Sequence, residues 1–193
     1  MPVDAAWRTS FFDIVQRPEY AEPLKQASLK GANRDWTEAL TGAVVAVCQV
    51  QGWLASAKGH RLDFLPESRS EYLGIDVVAF ERGERSWPFP VAAIELENSR
   101  QDDRIAYSLW KVLCLRASLR IVFCYRPSPD AGPVLVRSLA SHVVGSLSLD
   151  DRVSLGGDSV IVMGYRNKSE TFPYGFFKWW RLHVNTGTFE AFP

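Results

Sequence analysis

Two β-rich runs, Tyr72 to Phe80 (YLGIDVVAF) and Val91 to Glu97 (VAAIELE), stand on either side of the turn-forming linker ERGERSWPFP. Runs this apolar, joined by a Gly- and Pro-containing connection, predict two neighbouring antiparallel strands. Setting Phe80 against Val91 across the turn places Asp76 opposite Glu95 and Gly74 opposite Glu97. Side chains alternate along a strand, so Asp76, Val78 and Phe80 share a face with Val91, Ala93, Glu95 and Glu97. That face is apolar near the turn and acidic at its far end. Ile94 and Leu96 point the other way and need cover of their own, which predicts a sheet buried on both sides.

Three carboxylates gathered at the end of an apolar wall repel one another and lose hydration. A divalent cation relieves both problems, and hard oxygen ligands at this density suit Mg2+ or Mn2+. Such an ion can acidify a bound water and stabilise charge on a phosphodiester. A strand ending in Glu-x-Glu is also what a solvated face meeting water looks like. Two adjacent strands turning acidic at one level favour a site over that simpler reading.

The surrounding sequence predicts a mixed α/β sheet flanked by helices. Residues 1 to 34 hold two short amphipathic pieces punctuated by Pro18 and Pro23, and read as an irregular N-terminal lead-in to a single domain over residues 35–193. The first helix is expected from Asp35, where Asp35-Trp36-Thr37-Glu38 has the form of a capping box ahead of Leu40, Val44 and Val47. Trp53 to Leu65 reads as a short strand and a loop. A helix over 102–117 opens on Asp102 and Asp103, suiting the positive end of its dipole, and closes with Arg116. Leu119 to Tyr125 is a buried strand and Val134 to Val144 a helix. Strands follow at Ser159–Tyr165 and Phe176–Val184, and Asn185-Thr186-Gly187 turns the chain into a C-terminal β-hairpin with Thr188–Phe192.

Composition narrows the function classes. With 193 residues and 47% hydrophobic content, one core is the natural outcome. No apolar stretch suits a bilayer: the run from Ala39 to Leu54 is broken by Gly42, Gln49, Gln51 and Gly52. No signal-peptide pattern is visible in MPVDAAWRTS, and Cys48, Cys114 and Cys124 lie in apolar surroundings without metal-ligand spacing. These features predict buried free thiols and a cytoplasmic protein. Lys plus Arg equals Asp plus Glu at 22 each, which argues against a general nucleic-acid coat but leaves room for a local basic groove. From Asn98 to Arg126 the bases Arg100, Arg104, Lys111, Arg116, Arg120 and Arg126 face only Asp102 and Asp103. The run Phe176-Phe177-Lys178-Trp179-Trp180-Arg181 reads either as a core strand or as a base-stacking surface.

An aspartate in the second strand, an acidic-x-K position ending the third, then a helix and a buried strand, resembles the PD-(D/E)XK nuclease superfamily. The elements are Gly74-Ile75-Asp76 and Glu95-Leu96-Glu97, and the resemblance spans roughly residues 35 to 125. It implies a restriction-endonuclease-like fold and metal-dependent hydrolysis of nucleic acid, DNA favoured over RNA, with Asp76, Glu95 and Glu97 at Mg2+ or Mn2+. The usual lysine position holds Glu97. Some members carry Glu-x-Glu there, and in others the lysine has moved to the following helix, where Lys111 shares a stripe with Arg104 and Ser108. Lys111 would then orient the nucleophile; the alternative is a lysine decorating an amphipathic helix. Glu38 matches the acidic residue that many members place on the first helix, unless the capping box explains it. A homodimer or larger complex is compatible with the resemblance. The missing lysine and zero net charge also fit a non-catalytic nuclease-fold subunit for binding or assembly. An unrelated small-molecule enzyme finds no Gly-rich phosphate loop or nucleophile–His pairing here.

Overall fold

The computed structural model describes residues 2–63, 67, 69, 71–83 and 86–192. Seven strands form one mixed sheet in sequential order: β1 (Trp53–Ala57), β2 (Val77–Glu81), β3 (Ala92–Leu96), β4 (Leu119–Arg126), β5 (Asp158–Tyr165), β6 (Phe177–His183) and β7 (Thr188–Ala191). β3, β4 and β5 run parallel, and every other neighbouring pair is antiparallel. α4 (Asp102–Leu113) connects β3 to β4, while α5 (Gly132–His142) and α6 (Leu149–Ser154) lie between β4 and β5. The helix-flanked mixed sheet and the closing β6–β7 hairpin are as the sequence expects.

The N-terminal segment is not an irregular lead-in. It folds into α1 (Val3–Val15) and α2 (Pro18–Lys30), which pack with α3 (Asn33–Val50). Pro18 starts α2 instead of breaking it, because the first helical position needs no backbone N–H. Trp7, Phe11, Ile14 and Leu24 are buried with Ala92, Ile94, Phe123 and Trp179 on one face of the sheet. Asp4, buried in α1, pairs with Arg181 on β6 and fastens the helix to the sheet's far side. The expected capping box also differs. α3 begins at Asn33 with no side-chain cap, so Asp35 lies within its first turn and Glu38 is released from a capping role.

The β2–β3 register is the expected one, with Val77, Val78 and Ala79 against Ile94, Ala93 and Ala92. The opposite face of the sheet buries Val78, Phe80 and Ala93 against Ile105, Leu109 and Val112 of α4. Val91 departs from its expected partners and packs in the other cluster. β2 starts at Val77 and not at Tyr72, since Leu73 and Gly74 take φ values of 59° and 66°. That left-handed step is incompatible with extended strand and makes Tyr72–Gly74 a single tight turn. α4 likewise stops at Leu113, leaving Arg116 beyond it with its guanidinium over the Phe89 ring.

The aromatic run leading into β6 belongs to the core: Phe176, Phe177, Trp179 and Trp180 are all buried. All three cysteines are free, but Cys114 is exposed where the sequence predicts burial, because it lies past the end of α4's apolar face. Burial pushes the Cys48 and Cys124 thiols up to about 12. Among the described residues, no helix is long and apolar enough to cross a membrane.

Candidate active site

The site forms where β2 begins and β3 ends. One step beyond the Val77–Ile94 pair, the register sets Asp76 against Glu95. The Asp76 Oδ2 accepts the Leu96 backbone N–H at 2.7 Å, which pins this carboxylate to the end of β3. Glu95 shares the α4-facing side with Ala93, and its side chain is only 6% exposed.

Lys111 reaches this carboxylate from α4. Its Nζ lies 2.8 Å from Glu95 Oε1 and donates to the Gly74 carbonyl at 2.7 Å. The left-handed turn at Leu73–Gly74 therefore presents a backbone oxygen to the lysine, and α4 delivers the lysine because Ile105, Leu109 and Val112 fix which face meets the sheet. Burial pushes the Glu95 carboxyl above its ordinary range, Lys111 and Ser108 pull it back, and the Asp76 charge adds to the rise.

Glu97 has the correct face but other partners. Its Oε1 accepts the Ser99 N–H at 2.6 Å and its Oε2 takes a longer contact, 3.4 Å, from the Ser108 hydroxyl. Among the described residues, no three His, Cys, Asp or Glu side chains form a cluster able to hold a metal ion. Asp76 and Glu95 are brought together, then, while Glu97 stands beside them with its oxygens engaged. This two-carboxylate set fits a hard divalent cation, which takes carboxylate oxygens and keeps several waters. Glu95 Oε1 is held by the Lys111 ammonium at 2.8 Å, and a carboxylate has further lone pairs that such an ion can share.

Glu38 is exposed on α3 and lines a cavity of about 700 Å³ together with Asp76, Arg34, Lys58, His60 and Glu71. Lys58 and His60 enter through a tight turn after β1, in which Ala57 and His60 exchange backbone hydrogen bonds across Gly59. No sequence motif marks them; only their position after a strand flanking β2 does so.

The local excess of bases from Asn98 to Arg126 disperses. Arg120 is 1% exposed, and its guanidinium donates to the Leu115, Gly156 and Leu155 carbonyls at the opposite end of the sheet. Arg126 pairs with Asp102, and Arg100 and Arg104 remain exposed.

Fold and site together define a mixed α/β protein with an acidic pair and a lysine at the strand ends. No family profile matches the sequence, and no curated protein matches it. Among solved structures, the chain is similar to NucC of E. coli MS115-1 in its cAAA-bound form. That likeness has 14% identity and a TM-score of 0.47, over 100% of this chain and 83% of that one.

Proposed function

We propose that this chain hydrolyses phosphodiester bonds of nucleic acid, DNA favoured over RNA, with Asp76 and Glu95 holding Mg2+ or Mn2+. The observation that carries the reading is the meeting of Asp76, Glu95 and Lys111 at one level of the β2–β3 pair. A divalent cation bound there supplies the charge that acidifies water and stabilises a phosphoryl transition state. Lys111 has three N–H donors; Glu95 and Gly74 occupy two, which leaves one to orient the attacking water or a phosphate oxygen. Glu97 is the group that completes the shell or acts on water on leaving Ser108, the longer of its two contacts. Glu38, which lines the same cavity as Asp76, orders water on the open side. The reading places the protein in the cytoplasm, alone or as a homodimer or larger complex.

One observation favours a second reading. Lys111 already neutralises Glu95, and a balanced internal ion pair suits a non-catalytic subunit that binds or assembles. Cleavage of single- and double-stranded DNA and RNA with Mn2+, by wild type, Lys111→Ala and Glu95→Ala, separates the two. Hydrolysis predicts activity in wild type alone. Inactivity of wild type on every substrate with either metal favours the binding subunit.

A further inference from the structure

A second cavity, of about 500 Å³, lies on the other side of the α3 N-terminus. Lys30, Arg100, Arg126 and Arg166 line it with Asn33 and Asn98, and among the described residues no carboxylate is in its wall. Asn98 Nδ2 donates to Thr37 Oγ1 at 2.5 Å, and Thr37 lines the cavity that holds Glu38 and Asp76. The two cavities therefore meet at one hydrogen bond.

The charges in this cavity are unequally answered. Arg126 has Asp102, whereas Arg166, among the described residues, donates to the neutral Asn33 Oδ1 and lies over the Trp36 and Tyr125 rings. Lys30 and Arg100 are exposed. Burial lowers the Arg166 pKa, Tyr125 opposes this, and the Arg100 charge lowers it further. Cations that repel one another in a partly enclosed space are stabilised by an anion. Asn98 Oδ1 is buried behind the same wall and has no hydrogen-bond partner among the described residues. A nucleic-acid phosphate is an anion of the size such a cavity takes.

We propose that this cavity binds a phosphate of the nucleic-acid strand next to the scissile one, with Lys30, Arg100 and Arg166 as its ligands. The proposal rests on the nucleic-acid reading above and deepens it. It assigns the strand a path from the carboxylates, past Asn98, into the basic cavity. Phosphate contacts of this kind fix register and orientation without reading sequence.

The test is metal-free binding, which requires no catalysis. Fluorescein-labelled single-stranded DNA and its duplex are titrated by anisotropy against wild type, Lys30→Glu/Arg100→Glu and Arg17→Glu, over a salt series. Arg166 is left intact because its ring contacts make it structural. The double variant is expected to bind about tenfold or more weakly, with the slope of log Kd against log salt reduced by about 0.7 to 0.9 for each phosphate no longer neutralised. Arg17→Glu, an exposed site outside the cavity, keeps wild-type behaviour. Equal affinity and slope in wild type and the double variant overturn the proposal, as does a wild type that binds neither strand form. Strand binding that depends on the cavity, in a protein that cuts nothing with Mg2+ or Mn2+, overturns the hydrolytic reading and leaves the phosphate site standing.

Discussion

Replacing Lys111 by methionine keeps the aliphatic stem on α4 and removes the charge facing Glu95. Glu95 is 6% and Lys111 22% side-chain exposed, so the pair is largely shielded from water. Breaking a buried pair by removing one partner costs about 3–5 kcal/mol. Partial exposure of Lys111 and the freedom of Glu95 to take up a proton place this case at about 2–3 kcal/mol at neutral pH. In a chain of this size that lowers the thermal midpoint by about 5–10 °C. The loss depends on pH. Burial already raises the Glu95 pKa in the folded state, so its favourable contribution is fully present below the ordinary value of 4.5 and is lost as pH rises through the raised one. Lys111 opposes that rise, and without it the folded pKa climbs further, so the variant recovers stability as pH falls toward 4.5. Urea denaturation of wild type and Lys111→Met at pH 5 and pH 8 measures both effects. A destabilisation equal at the two pH values, or below about 0.5 kcal/mol as for an exposed pair, would show that Lys111 and Glu95 do not form a shielded, pH-dependent pair.

Glu38→Gln removes an exposed charge from the cavity shared with Asp76; strand cleavage should slow by about tenfold or more with the thermal midpoint unchanged, and equal rates would take Glu38 out of the site. Arg120→Leu strips donors from three carbonyls at 2.7–3.0 Å and should cost about 3 kcal/mol in urea denaturation while leaving Mn2+ affinity intact. A loss of metal affinity in folded Arg120→Leu would contradict its assignment to structure.

The part of the fold legible in the sequence is the part set by local alternation. The Asp76–Glu95 register follows from apolar residues that must lie on two buried faces, and one residue of slip would expose a whole set of them. Lys111 is legible for a similar reason, since Ile105, Leu109 and Val112 orient α4 and carry the lysine to Glu95. Segments governed by distant partners are less readable. α1 and α2 look irregular because their burial depends on Phe123 and Trp179, far along the chain, and on the Asp4–Arg181 pair. Leu73 adopts a left-handed φ that its residue type does not announce, so the start of β2 is misplaced by several residues. Arg120 looks like one cation among six, and only the Leu155 and Gly156 carbonyls explain its burial. Asn98 and Arg166 come together with α3 through tertiary structure alone.

The proposed metal site joins Asp76 and Glu95, with Lys111 at its edge. Crystals of the wild-type protein grown with Mn2+, measured near the manganese absorption edge, test it most directly. An anomalous difference peak is expected between the Asp76 and Glu95 carboxylates, and none in Glu95→Gln crystals. A wild-type map without density between these two carboxylates, at Mn2+ concentrations that saturate ordinary enzyme sites, would contradict it.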